Sequence, residues 1–160
     1  MDGEVRWLSE GEQVSWRAFL RASRELDVAF DGDLQAVGIS LSEYELLSML
    51  SESPMGQLRM SAVAALIVQS RSRVTHTAAR LERRGWVVRT PAPDDGRGVL
   101  LRITDEGTTA IREFAVAHVA SVRRHLVDVL TAEQFAALGE AMQAVRDAYA
   151  ADPTTPESEC

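Results

Sequence analysis

A mainly α-helical chain with one small β-hairpin is the fold class this sequence predicts, and three observations predict it. Apolar residues recur at three- and four-residue steps through both ends of the chain. After Gly85 the pattern changes to two short β-branched or aromatic runs around a turn rich in proline, aspartate and glycine. Between Ser70 and Arg102 lie eight arginines against three acids, a net +5 inside a chain of net charge −7, so the remainder carries −12.

The bounds are those of one ordinary domain with appendages. At 160 residues, 46% hydrophobic and 26% charged, the chain is long enough to bury a core and too apolar to be disordered. The opening MDGEVRWLSEGEQ has no basic stretch leading into an apolar one, and no run approaches eighteen apolar residues, so a cytoplasmic location is expected and no membrane. The single cysteine, Cys160, permits no intramolecular disulfide and no cysteine cluster for zinc. No cofactor is expected. All 17 cationic residues are arginine. A basic segment on an acidic body is the electrostatic footprint of a face that meets phosphate.

The elements follow in order. Ser9 and Glu12 form a capping box, so a long helix starts there. Phe19, Ala22, Leu26, Phe30 and Leu34 continue it until Gly38. Ser40 or Ser42 caps a second helix with Tyr44, Leu47 and Leu50, closed by the turn Ser53-Pro54-Met55-Gly56. A short third helix spans Ser61 to Ile67. Ser70 caps a fourth, which ends with Gly85 at its C′ position. The runs Trp86–Thr90 and Val99–Ile103 make the hairpin, with PAPDDGRG as a long tip. Thr104 caps a fifth helix with Asp105 and Glu106 at its positive end, and its apolar steps run on to Val129. Thr131 and Gln134 form a second capping box for a sixth helix carrying Phe135, Leu138, Met142, Val145 and Tyr149. Two prolines and no periodicity predict a disordered tail over 151–160.

The chemistry concentrates in the fourth helix. At about 100° per residue, Val74, Ala78, Leu81 and more loosely Thr77 share the buried face. Ser72, Arg73, His76, Ala79, Arg80 and Arg83 collect on the opposite arc, and the candidate DNA contacts are Ser70 and Arg71 at the helix start, Ser72, Arg73, His76, Arg80, the marginal Thr77, and Arg97 of the turn. Hydroxyl, imidazole and guanidinium groups of this kind hydrogen-bond base edges and phosphates in a major groove. A solvated charged face has the same composition, and the order of elements decides between them. A short helix, a tight turn, this helix and then a hairpin with an arginine at its tip is the order of a winged helix-turn-helix. In the tip, Gly96 and Gly98 allow the sharp turn, Arg97 supplies a cation for the minor groove, and Asp95 holds Arg97 or caps the turn.

The domain organisation then reads as a dimerisation helix in 1–39, a winged helix-turn-helix in 40–104 and dimerisation helices in 105–150. The terminal helices carry more apolar surface than the small central domain can cover, and a two-fold dimer sets two recognition helices about one DNA turn apart. His118 and His125 have no Cys, Asp or Glu at ligand spacing, so no metal site is expected. No Ser/His/Asp constellation, P-loop or metal motif is present, and an enzyme is not expected.

The segment Asp95-Gly96-Arg97-Gly98-Val99-Leu100-Leu101-Arg102-Ile103-Thr104-Asp105-Glu106-Gly107 resembles the wing signature of the MarR transcriptional regulators. Val74-Thr75 and Leu81-Glu82-Arg83-Arg84-Gly85-Trp86-Val87 are similar to that family's recognition helix and its exit into the wing. The resemblance spans roughly residues 10 to 150. It implies a homodimer that binds double-stranded DNA at a pseudo-palindromic operator and represses until a small ligand releases it.

Two family modes are not matched. The first helix has no reactive cysteine for sensing peroxide, and no His/Glu/Cys cluster for zinc stands near the first two helices. The expected signal is then a small organic or phenolic effector, with Trp16, Arg17 and Leu20 as candidates to hold it between the first helix and the DNA-binding domain. The alternative reading is a winged-helix module that presents its basic face to an acidic protein instead of DNA.

Overall fold

A computed structural model describes residues 5–66, 70–92 and 95–151 of the chain. The tail beyond 151, with Cys160, lies outside the described residues, as do Ile67 at the end of the third helix and Pro93-Asp94 of the turn.

Helix α1 (Glu10–Ala36) begins at the capping box: Ser9 Oγ accepts from the Glu12 N–H at 3.3 Å, and Glu12 Oε2 accepts from the Ser9 N–H at 2.7 Å. It ends at Gly38, whose φ of +95° suits a residue without a side chain. Helix α2 (Leu41–Glu52) repeats the device with Ser40 and Glu43. A 3₁₀ turn over Pro54–Gly56 then leads into a short strand, β1 (Gln57–Arg59), and helix α3 (Met60–Leu66).

Helix α4 (Arg71–Arg83) is capped by Ser70, whose Oγ accepts from the Arg73 N–H, and stops at Gly85 with φ +74°. Strands β2 (Val87–Ala92) and β3 (Asp95–Ile103) form the hairpin. Helix α5 (Asp105–His125) is capped by Thr104, and α6 (Ala132–Ala151) by Thr131, which accepts from the Gln134 N–H.

The fold class is mainly α with a three-stranded antiparallel sheet in the order β1-β3-β2. Strand β1 was not foreseen, because three residues are too few to show an alternation. It pairs Gln57, Leu58 and Arg59 with Arg102, Leu101 and Leu100, so β3 is the central strand. The hairpin strands also reach further into the turn than expected. Pro91 lies inside β2, which is tolerated because β2 is an edge strand.

The fifth helix is shorter than its apolar pattern suggests. Leu126, at φ −133° and ψ −62°, leaves helical geometry, and Val127–Val129 is a separate 3₁₀ turn tied back by the ion pair of Arg123 with Asp128.

Leu34 and Ile39 of the α1 exit, Leu46, Leu47 and Leu50 of α2, Val63, Val74, Ala78 and Leu81 of α3 and α4, and Val87 and Leu101 of the sheet form one core. Each such side chain contributes on the order of 1.5–3 kcal/mol by leaving water. Helix α5 joins this core through Ile111 and packs on α1 and α2. No residue of α6 is buried, and Phe135, Val145 and Tyr149 of its apolar stripe stand exposed.

Candidate nucleic-acid interface

Helix α4 turns Val74, Thr77, Ala78 and Leu81 into the core and leaves Ser72, Arg73, Thr75, His76 and Arg83 exposed. Thr77, expected among the DNA contacts, is only 3% exposed, so its side chain is turned into the body. Its hydroxyl accepts from Arg80 Nη2 at 3.3 Å. Ser70 is exposed at the start of the helix, where its side chain is engaged as the cap. The side chains of Arg71, Asp95 and Arg97 lie outside the described residues. The strand backbone that carries Arg97 and the partly exposed Gly98 is described and belongs to β3.

Among the described residues, Arg80, Arg84 and Arg89 of the basic segment are engaged within the chain. Arg80 Nε lies 3.1 Å from Glu43 Oε1 on α2. Arg84 donates to the Gly38 carbonyl at 2.8 Å, and its guanidinium stacks 3.6 Å from the Trp86 ring centroid. Arg89 of β2 donates to the Thr75 carbonyl at 3.1 Å and lies 3.7 Å from Glu82. Composition counts these cations toward the field. Geometry assigns them to holding α4 against α2, the α1–α2 turn and the root of the hairpin. Arg73, Arg83 and Arg102 are exposed.

The hairpin is rooted on the helical body at two points. Thr104 Oγ1 donates to the Gly85 carbonyl at 2.7 Å and accepts from the Gly107 N–H at 3.0 Å. The Trp86 and Phe114 rings meet at 5.5 Å. An open groove of about 410 Å³ lies between Trp86 and the first turns of α5. Asp105, Glu106 and Glu113 on its rim give it the wrong sign for phosphate.

The expected effector residues lie apart from the groove beside Trp86. Trp16 is 51% exposed and stacks on Phe19 at 6.0 Å, while Arg17 bonds Gln13 on its own helix. Leu20 is half-buried. They stand on the first half of α1, whereas the second half, around Phe30 and Leu34, packs on the body. The histidines of α5 are placed differently from one another. His118 meets the Tyr44 ring at 4.3 Å, its buried Nδ1 has no hydrogen-bond partner among the described residues, and burial holds its pKa below the ordinary value. His125 Nε2 lies 3.1 Å from Asp33, which also accepts from the buried Ser121 and from Arg124. These bonds, Ser121's foremost, hold the Asp33 carboxyl below its usual range. Among the described residues no three of His, Cys, Asp and Glu converge as a metal site requires, and no helix is long and apolar enough to cross a membrane.

Known proteins share this arrangement. The family model of the MarR family matches residues 37–98, from the α1 exit to the hairpin tip. Sco3205 of Streptomyces coelicolor, a MarR family transcriptional regulator solved in complex with DNA, superposes with a TM-score of 0.87 at 40% identity, covering 96% of this chain and 95% of its own. AbsC of the same organism, also a MarR family transcriptional regulator, gives 0.84 at 36% identity, covering 92% and 100%. The HTH-type transcriptional regulator PecS of Dickeya dadantii is 31% identical over 105 residues, 64% of this chain and 63% of PecS, so the match spans less than two thirds of that relative.

Proposed function

The chain belongs to the MarR family of transcriptional regulators, and on that premise we propose that it binds double-stranded DNA at a pseudo-palindromic operator as a homodimer and represses transcription. The observation that carries this reading is the exposed Ser72, Arg73 and His76 face of α4 beside a glycine-flanked arginine hairpin rooted on the same body. In it α4 enters the major groove, and Arg97 reaches the minor groove, whose negative potential attracts it.

The dimer rests on a second observation. Helix α6 has no buried residue, and Phe135, Val145 and Tyr149 on it, Val14 and Phe19 on α1 and Trp7 just before α1 are large apolar side chains left exposed. Exposed apolar area on this scale marks an interface. A second copy covers it and sets two α4 helices roughly 34 Å apart, one turn of DNA. The Trp16, Arg17 and Leu20 segment then gains an opposite wall, and a small organic effector binding there is part of the proposal.

Fluorescence anisotropy with labelled duplexes from the chain's own upstream region and a scrambled control, at two salt concentrations, tests the function. Tight, salt-sensitive and sequence-selective binding supports it. Equally weak binding to both duplexes overturns it and favours the acidic-protein partner. Sedimentation of the free protein tests the dimer, with a monomer at micromolar concentration counting against it.

A further inference from the structure

We propose that Arg80 is a positioning residue, held away from DNA by Glu43, and that this pair fixes the rotation of α4 on α2 and hence which side chains reach the bases. The inference rests on the DNA-binding reading above and changes the role that Arg80 has in it.

Glu43 is 7% exposed and both of its oxygens are occupied. Oε2 accepts from the Ser40 N–H at 3.0 Å and from Ser40 Oγ at 2.7 Å, while Oε1 accepts from Arg80 Nε at 3.1 Å. The capping box that starts α2 thus also aims a carboxylate at α4. Arg80 Nη2 reaches Thr77 Oγ1 at 3.3 Å and Ser42 Oγ at 3.5 Å, so the guanidinium is gripped from both helices. A buried carboxylate needs such a partner, and a guanidinium so held is not free to follow a phosphate.

The position on the helix gives the pair its consequence. Arg80 lies four residues after His76 and seven after Arg73, on one stripe along α4. Fixing Arg80 against α2 therefore fixes the direction in which His76 and Arg73 point. One turn later Arg84 donates to the Gly38 carbonyl, and Asp31 of α1 accepts from the Leu41 N–H at 2.8 Å. The C-terminal half of α4 is tied to residues 38–43, and that segment is tied to α1, the helix assigned to the dimer. The rotation of α4 is set by the same frame that sets the distance between the two half-site readers.

The test uses the full chain, a duplex that the unaltered protein selects from a random-sequence pool, and a random duplex of equal length. Glu43→Gln keeps the size of the side chain and removes its charge. Its affinity for the selected duplex is expected to fall about tenfold, the size of one lost base-pair preference, with random-duplex affinity and salt slope unchanged. Arg80→Met is expected to match it, and the double variant to be no worse than either single one. The Arg80 Nε–H resonance, followed without DNA, is expected to be protected from exchange and to lose that protection in Glu43→Gln. The proposal is overturned if Arg80→Met lowers the salt slope by about one while Glu43→Gln leaves or raises affinity, because Arg80 is then a phosphate contact. An unprotected Arg80 Nε–H in the native protein overturns it with DNA recognition intact. Failure to select any duplex overturns the DNA-binding reading, and this proposal with it, even where the resonance shows the pair.

Discussion

The carbonyl oxygen of Trp86 lies 2.1 Å from where a Cβ on Gly107 would stand. The first turn of α5 is pressed directly against the backbone at the hairpin root, and only a hydrogen fits between them. Ile103 Cγ1 crowds the same point at 2.9 Å. Gly107→Ala is therefore expected to push α5 from Trp86 and to break the Thr104 bond to Gly85. A loss of about 2–4 kcal/mol, as for overpacked sites, is expected by chemical denaturation. A melting temperature within a degree of native would contradict the contact.

Arg97→Ala addresses the tip. If the arginine occupies the minor groove, operator binding weakens by roughly 1–3 kcal/mol. The chain's fold does not depend on that side chain in this reading, so circular dichroism should be unchanged. Unaltered affinity would remove the hairpin from the recognition surface.

Met55 is a strained position of a different sort. It sits in the left-handed region at φ +58° and ψ 16°, in the turn before β1, and is 82% exposed. A side chain there costs about 1–2 kcal/mol, and glycine gives back part of this through the freedom of the unfolded chain. Met55→Gly is expected to raise stability by about 0.5–1 kcal/mol without altering DNA affinity. A lowered melting temperature would show that the methionine packs on something that relieves the strain.

His118 supplies a pH dependence. Burial lowers its folded pKa, so the unfolded chain binds its proton first as pH falls. Stability is present above the ordinary histidine value, about 6.5, and is lost as pH drops from there through the folded pKa. His118→Phe keeps the ring contacts with Tyr44 and Phe30 and removes the proton site. Its unfolding free energy should fall less steeply than the native one as pH drops below about 6.5. Parallel curves would place the titration elsewhere.

Local chemistry made much of this legible in the sequence. Ser9 with Glu12, Ser70 and Thr104 each announced a helix start, and Gly38 and Gly85 announced stops, because caps and left-handed turns depend on near neighbours alone. What escaped depended on distant partners. Strand β1 exists because β3 has a free edge beside Leu58. Thr77 sits at the margin of two faces, and only the folded body shows that it is buried. Arg80, Arg84 and Arg89 read as free cations, and only Glu43, Gly38 and Thr75, up to 46 residues away, show that they are held.

Strand β1 also has a mechanical consequence. Its last pairing is Arg59 with Leu100, so β3 has a neighbour on both sides only from Leu100 to Arg102. From Val99 back to Asp95 it has β2 alone, and the register slips between Pro91 and Ala92. The hairpin is a cantilever clamped at one end: beyond the Thr90–Leu100 pair, two residues of β2, about 7 Å at the usual rise per residue, oppose five of β3. A beam of that kind bends along its free length and not at its clamp. In the proposed complex that unclamped length, which carries Arg97, adjusts to a groove narrower or wider than average while α4 stays in place.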